Sequence, residues 1–189
     1  MAAGIGHNNG PSMEPGQRFR AYQWRKAQKA LMPNTIPLMV VKMRMRRATE
    51  LGLDYKTYAR VRQSSGRDIL GLLFSSNALR IISDGARMPA DRAARLDPVQ
   101  AHRLALVHRP NTPAAVLQAN PQLDATAPAP RFTDSWGQMR GQLETFLRDR
   151  QLPGGQVLVI GDAPLEQDWL TAARAAGYLS AAEYFSAPL

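Results

Sequence analysis

The sequence predicts an α/β protein in which a basic helical N-terminal region precedes a small parallel sheet, about three strands, flanked by helices. The sheet is expected from three short apolar or β-branched runs, 79–82, 103–107 and 156–160, each followed by turn residues and then by a helical stretch. The helical region is expected from the charge distribution. Residues 1–80 hold 14 Lys+Arg against 4 Asp+Glu, and the rest of the chain holds 10 against 11, so the whole formal charge of +9 sits in one half. Charge segregated in this way points to a polyanionic partner, nucleic acid being the commonest, with affinity that falls steeply as salt rises.

Residues 1–16, with Gly4, Gly6, Gly10, Pro11, Pro15 and Gly16, hold too little apolar content to order themselves and read as a flexible tail. Good helix formers run through 17–31 until Pro33 and Pro37 stop a continuous helix. Leu38, Val41, Met45, Ala48 and Leu51 then recur in steps of three and four, tracing one face of a helix whose other side carries Lys42, Arg44, Arg46 and Arg47. Gly52 ends that helix. A second runs from 55 to 63 behind Asp54 as its cap, and Ser64, Ser65 and Gly66 turn the chain. Within 67–76, Ile69, Leu70, Leu72, Leu73 and Phe74 are apolar nearly all round, which predicts a third, buried helix. Beyond it, helices are expected at 90–96, 112–119, 135–150 and 164–176, while 125–132, with Pro128 and Pro130, reads as an extended loop. The domains expected are the tail 1–16, a basic helical region 17–77 and an α/β region 78–189.

Ala48 lies four residues before Gly52, and Tyr58 and Val61 follow that glycine by six and nine. Ala48 lets two helices approach, Gly52 accepts the positive φ of a turn, and Leu51, Leu53 and Val61 fill the wedge between them. Over about twenty residues this pattern resembles the helix-turn-helix of bacterial DNA-binding proteins. The resemblance implies that the second helix lies in the major groove, with Tyr55, Lys56, Thr57, Arg60 and Gln63 toward bases and phosphates and Arg62 at the flank. Lys and Arg reach guanine acceptors, Gln pairs with adenine, and Thr meets a thymine methyl or a phosphate. Lys42, Arg44, Arg46 and Arg47 would hold the backbone without reading sequence. Tyr58 is larger than the Val or Ile usual at that position, which implies a wider helix crossing.

In 17–31, Phe19, Tyr22 and Trp24 stand among Arg18, Arg20, Arg25 and Lys26, a pattern that stacks on exposed bases while cations hold phosphate. Aromatics that dock a helix onto a core, or a basic helix lying on an anionic membrane, give the same pattern.

Loops that follow parallel strands meet along one edge of the sheet, where ligands of such sheets bind. Here they bring Ser83, Asp84 and Gly85, then His108 and Arg109, then Gly161 and Asp162. Asp84, His108, Arg109 and Asp162 are therefore the candidate ligand residues, suited to phosphate, a metal or proton transfer, although Asp and Gly after a strand also serve as plain turn formers. Residues 157–178, VLVIGDAPLEQDWLTAARAAGY, are similar to the last conserved part of haloacid dehalogenase-type phosphatases, in which a strand ends in Gly-Asp and an acidic residue follows. Ile81-Ile82-Ser83-Asp84-Gly85 lacks the Asp-x-Asp pair those enzymes use as nucleophile and acid, so the covalent step has no carboxylate. The α/β region is accordingly read as a binding, scaffolding or degenerate module.

The chain has no cysteine, which excludes disulfides, thiolate zinc sites and Cys nucleophiles, and its three histidines, His7, His102 and His108, are too scattered for a metal set. No G-x-G-x-x-G follows a strand, no P-loop is present and no G-x-S-x-G elbow occurs, so no cofactor is expected. The longest apolar run, 69–74, is far short of the ~20 residues that span a bilayer, and 1–16 carries no secretory signal, which predicts a cytoplasmic location. The expected function is nucleic-acid binding, DNA rather than RNA, by a transcription regulator or accessory factor, a non-catalytic reading preferred to an enzymatic one. A homodimer is expected if the motif works as it does in repressors. The alternatives are a phosphatase-like or other enzyme at the sheet edge, or a structural subunit that binds RNA or an acidic protein.

Overall fold

The computed structural model describes residues 17–31 and 36–186; the expected tail, 1–16, lies outside them. Two compact units divide between Val41 and Lys42. The first holds α1 (Gln17–Leu31) and the opening turn of α2 (Leu38–Glu50). The second holds the rest of α2, then α3 (Tyr55–Ser65), followed by β1 (Gly71–Ser75), α4 (Ala90–Leu96), β2 (His102–Val107), α5 (Pro113–Ala119), β3 (Ala125–Pro128), α6 (Trp136–Arg148), β4 (Val157–Gly161), α7 (Asp168–Ala172), β5 (Gly177–Ser180) and α8 (Ala181–Ser186). Among the described residues no helix is long and apolar enough to cross a membrane.

The second unit is α/β, with five parallel strands in the order β3-β2-β1-β4-β5. Alternate residues of each strand point to opposite faces, so the sheet buries two separate cores. Leu72, Phe74, Ala105, Val107, Leu158 and Ile160 pack on one face with Tyr58, Val61, Leu96, Val116 and Tyr184. Leu73, Leu104, Leu106, Val157 and Val159 pack on the other with Leu143, Phe146, Leu147 and Trp169. Fully burying each such Leu, Val or Phe contributes roughly 1.5–3 kcal/mol.

Four segments differ from the sequence reading, each for a physical reason. Residues 67–76 hold the central strand β1 rather than a buried helix. A central parallel strand is covered on both faces and so is as apolar all round as a buried helix, and here every residue of Gly71–Ser75 is buried. The run at 79–82 is a turn instead of a strand: Leu79 and Ile81 are 0% and 2% exposed, but Arg80 between them has φ 54 and Ile82 is 83% exposed. Ala125–Pro128 is a strand rather than a loop, because β3 is an edge strand and a proline there removes no ladder bond the sheet needs. The segment 164–176 is a short 3-10 turn, Pro164–Gln167, followed by α7, after which Arg174 at φ 50 leads into β5, an edge strand of four residues with no sequence expectation behind it.

Strand order reverses between β1 and β4, because the chain runs outward from β1 through β2 to β3 and then returns to the other side of β1. The loops leaving Ser75, Val107, Pro128 and Gly161 all emerge at the same edge, and the crevice over the reversal is where such sheets hold ligands.

Candidate functional site

The helical hairpin is built by its caps. Gly52, at φ 67, ends α2 in a Schellman arrangement: Leu53 N donates to Ala48 O (2.9 Å) and Gly52 N to Thr49 O (2.9 Å). Asp54 then starts α3, its Oδ1 accepting from Thr57 N at 2.9 Å, and bonds from the Thr57 side chain and amide hold the Asp54 carboxyl below its ordinary range. Ala48, Leu51, Leu53, Tyr58 and Val61, the residues that carry the helix-turn-helix resemblance, are all buried. Tyr58 fits because its buried hydroxyl is satisfied: Oη donates to Asp68 Oδ1 (2.7 Å) and accepts from Arg62 Nη1 (2.9 Å). The turn is fastened to α4 and α8. Arg95 donates to Gly52 O (2.9 Å) and Tyr184 O (3.2 Å), and Tyr184 Oη donates to Leu51 O (3.1 Å).

The cations expected to contact nucleic acid divide into two groups. Arg47 and Arg62 are engaged within the fold. Arg47 bridges Glu50 (3.0 Å) and Asp68 (3.3 Å) and donates to Ile69 O and Gln100 O, while Arg62 bridges Asp68 (3.4 Å). Arg46 is exposed but pairs with Glu50 at 3.0 Å, and Arg44 is half-buried. On α3, Lys56, Arg60 and Gln63 are exposed along one side, opposite the buried Tyr58 and Val61, and among the described residues none of the three side chains makes a hydrogen bond or ion pair. Tyr55 and Thr57 are half-buried. Lys42 is exposed, as are Arg20, Arg25 and Lys26 on α1, and Arg18 falls within the bounds of that helix.

At the carboxyl edge of the sheet the central residue is Glu166, which the sequence reading did not single out. It is 1% exposed, yet its carboxylate is surrounded by donors: Asn77 Nδ2 (2.8 Å), His108 Nε2 (2.8 Å) and the amides of Asp162 (2.6 Å) and Ala163 (3.1 Å). Burial pushes its pKa up, but His108, the Asp162 amide, Ser75 and the Ala163 amide outweigh burial and leave the carboxyl below its ordinary range. A carboxylate only accepts, so the bonded Nε2 of His108 is the donor. The ring stacks on Trp169, centroids 5.6 Å apart and planes at 23°. One side chain thus clamps the loops after β1, β2 and β4.

Of the four candidate ligand residues, His108 alone is joined to this network by its side chain; Asp162 enters it through its backbone amide. The Asp84 carboxylate is committed elsewhere: Oδ1 accepts from Thr112 N (2.7 Å) and Thr112 Oγ1 (3.2 Å), just ahead of α5. Arg109 is exposed on the loop beyond His108. The strand on which a nucleophile would sit ends in Ser75-Ser76-Asn77, so the correction to the placement of β1 brings no carboxylate to that position either. The available signal for Glu166 was its spacing, four residues after Asp162 at the end of an apolar strand, where a chain reversal brings a side chain back over the strand end. No protein-family model, curated protein or solved structure matches this chain.

Proposed function

We propose that the chain binds nucleic acid, duplex DNA before RNA, through the exposed side of α3, as a transcription regulator or accessory factor. The observation that carries this reading is the stripe of Lys56, Arg60 and Gln63: two cations and an amide, none hydrogen-bonded or ion-paired among the described residues, on the face of a capped helix whose opposite face is packed on the sheet. Lys and Arg supply phosphate and guanine contacts, Gln an adenine contact, and a helix anchored along one side presents them without loss of side-chain register. Lys42 and the cations of α1 add to the electrostatic attraction. One such helix covers few base pairs, so a dimer with two α3 helices about 34 Å apart would read two half-sites. The phosphatase-like alternative stands behind this reading because the loop after β1 offers hydroxyls and an amide where a covalent phosphoryl step needs a carboxylate.

Binding of labelled duplex, single-stranded DNA and RNA across a salt series tests the proposal. The parent should prefer duplex, and the Lys56→Glu/Arg60→Glu variant should bind more weakly with a log–log salt slope lower by about 2, one for each lost phosphate contact. An unchanged affinity and slope in the variant would remove α3 from the interface.

A further inference from the structure

A second concave surface lies beside the Glu166 clamp, formed by the loops after β2, β3 and β4. It is a cleft of about 530 Å³, within the usual size of small-ligand sites, and it continues into a neighbouring depression of about 930 Å³. Arg109 and Arg131 line both, and neither guanidinium makes a hydrogen bond or ion pair among the described residues, although Asp134 borders both hollows and Asp168 the first. Asp134 instead accepts from the Arg131 backbone amide at 2.7 Å. Two unpaired arginines at the junction of two hollows are suited to the forked, bidentate recognition of an oxyanion. Along the same cleft Phe132 is 87% exposed and Trp136 49% exposed, a large aromatic surface left in water at a concave site. The floor is stiff, because Glu166 holds His108 and the loops after three strands in one arrangement before any ligand arrives.

We propose that this cleft binds a nucleoside phosphate, with the base stacked on Phe132 and Trp136 and the phosphate held by Arg109 and Arg131. The two halves of the cleft match the two halves of that ligand, a flat ring and a compact dianion. His108 lines the same cleft as a hydrogen-bonding group whose orientation Glu166 fixes. Sequence motifs for nucleotide binding rest on backbone amides of glycine-rich loops, and this cleft uses side chains from separate loops, so no such motif marks it. The same chemistry is offered by a free nucleotide and by the phosphorylated end of a strand.

Calorimetry and tryptophan fluorescence on the full chain test this, with the four nucleoside monophosphates, ribose 5-phosphate, and a short single-stranded oligonucleotide with and without a 5′-phosphate. Saturable binding of a monophosphate is expected, weaker by at least about tenfold in Arg109→Ala/Arg131→Ala and in Phe132→Ala, and unchanged in Lys56→Glu/Arg60→Glu. Binding confined to the 5′-phosphorylated oligonucleotide, with the same dependence on Arg109, Arg131 and Phe132, assigns the site to strand ends. Arg109, Arg131 and Phe132 are all exposed, so their variants should melt as the parent does. The proposal is overturned if no ligand saturates, if ribose 5-phosphate binds as well as the nucleotides, or if the arginine and phenylalanine variants bind like the parent. The Lys56→Glu/Arg60→Glu arm keeps its failure separate from that of DNA binding at α3.

Discussion

The hairpin and the sheet edge handle charge in opposite ways. On α3, Lys56 and Arg60 are exposed and make no hydrogen bond or ion pair among the described residues, Arg60 acting on Glu183 only through its field. At the edge, Glu166 is enclosed and holds its charge only because four donors from three loops converge on it. Exposed charge therefore reports on what the surface attracts over a distance. Buried charge reports on what the fold has been built around, since an ion out of water persists only with its partners in place.

The contrast predicts a graded series of stability losses. Glu166→Ala should be the most damaging, at about 3–5 kcal/mol in urea denaturation, because it leaves buried donors without an acceptor. A loss under about 1 kcal/mol would show that water replaces the carboxylate and that the clamp is dispensable. The pH dependence follows from the lowered pKa of Glu166. A carboxyl depressed by folding gives stability that is complete above its unfolded value, about pH 4.3, and that disappears as pH falls through the folded value. The parent should thus lose stability with acid more steeply than Glu166→Gln, and parallel curves would overturn the assignment.

Tyr58→Phe should cost less, about 1–2 kcal/mol, by removing the hydroxyl that joins Asp68 to Arg62 at the foot of the hairpin while keeping the ring in the core. A neutral result would mean that the Arg62–Asp68 pair closes the gap unaided. Smallest of all, Lys56→Glu/Arg60→Glu should shift stability by no more than about 0.5 kcal/mol, whatever it does to nucleic-acid binding. A large destabilisation would place those side chains in the fold instead of on its surface.

How much was legible beforehand follows the same division between local and distant forces. The caps of α3 and the break at Gly52 were readable because Asp54, Gly52 and Gly66 act on their immediate neighbours. The strands at 103–107 and 156–160 shifted by about one residue, as expected where apolar runs are bounded by turn residues. Residues 69–74 were misread because apolarity all round reports burial on every side and does not distinguish a helix from a central strand. Asp84 was placed at the edge on the strength of a strand that is in fact a turn, and its carboxylate serves Thr112. Glu166 was missed because its partners lie 58 and 89 residues away, at His108 and Asn77, and no spacing along the chain records them.

By itself the sequence determined that this protein is α/β, that its positive charge is concentrated toward the N-terminus, and where its capped helices begin and end, since composition, periodicity and caps act through neighbours. The tertiary structure alone decided which strand lies at the centre, which cations are consumed in the fold and which face water, and that Glu166, His108 and Asn77 form one clamp. Those outcomes depend on strand order and on the competition of distant groups for burial, and both are settled only when the chain closes on itself.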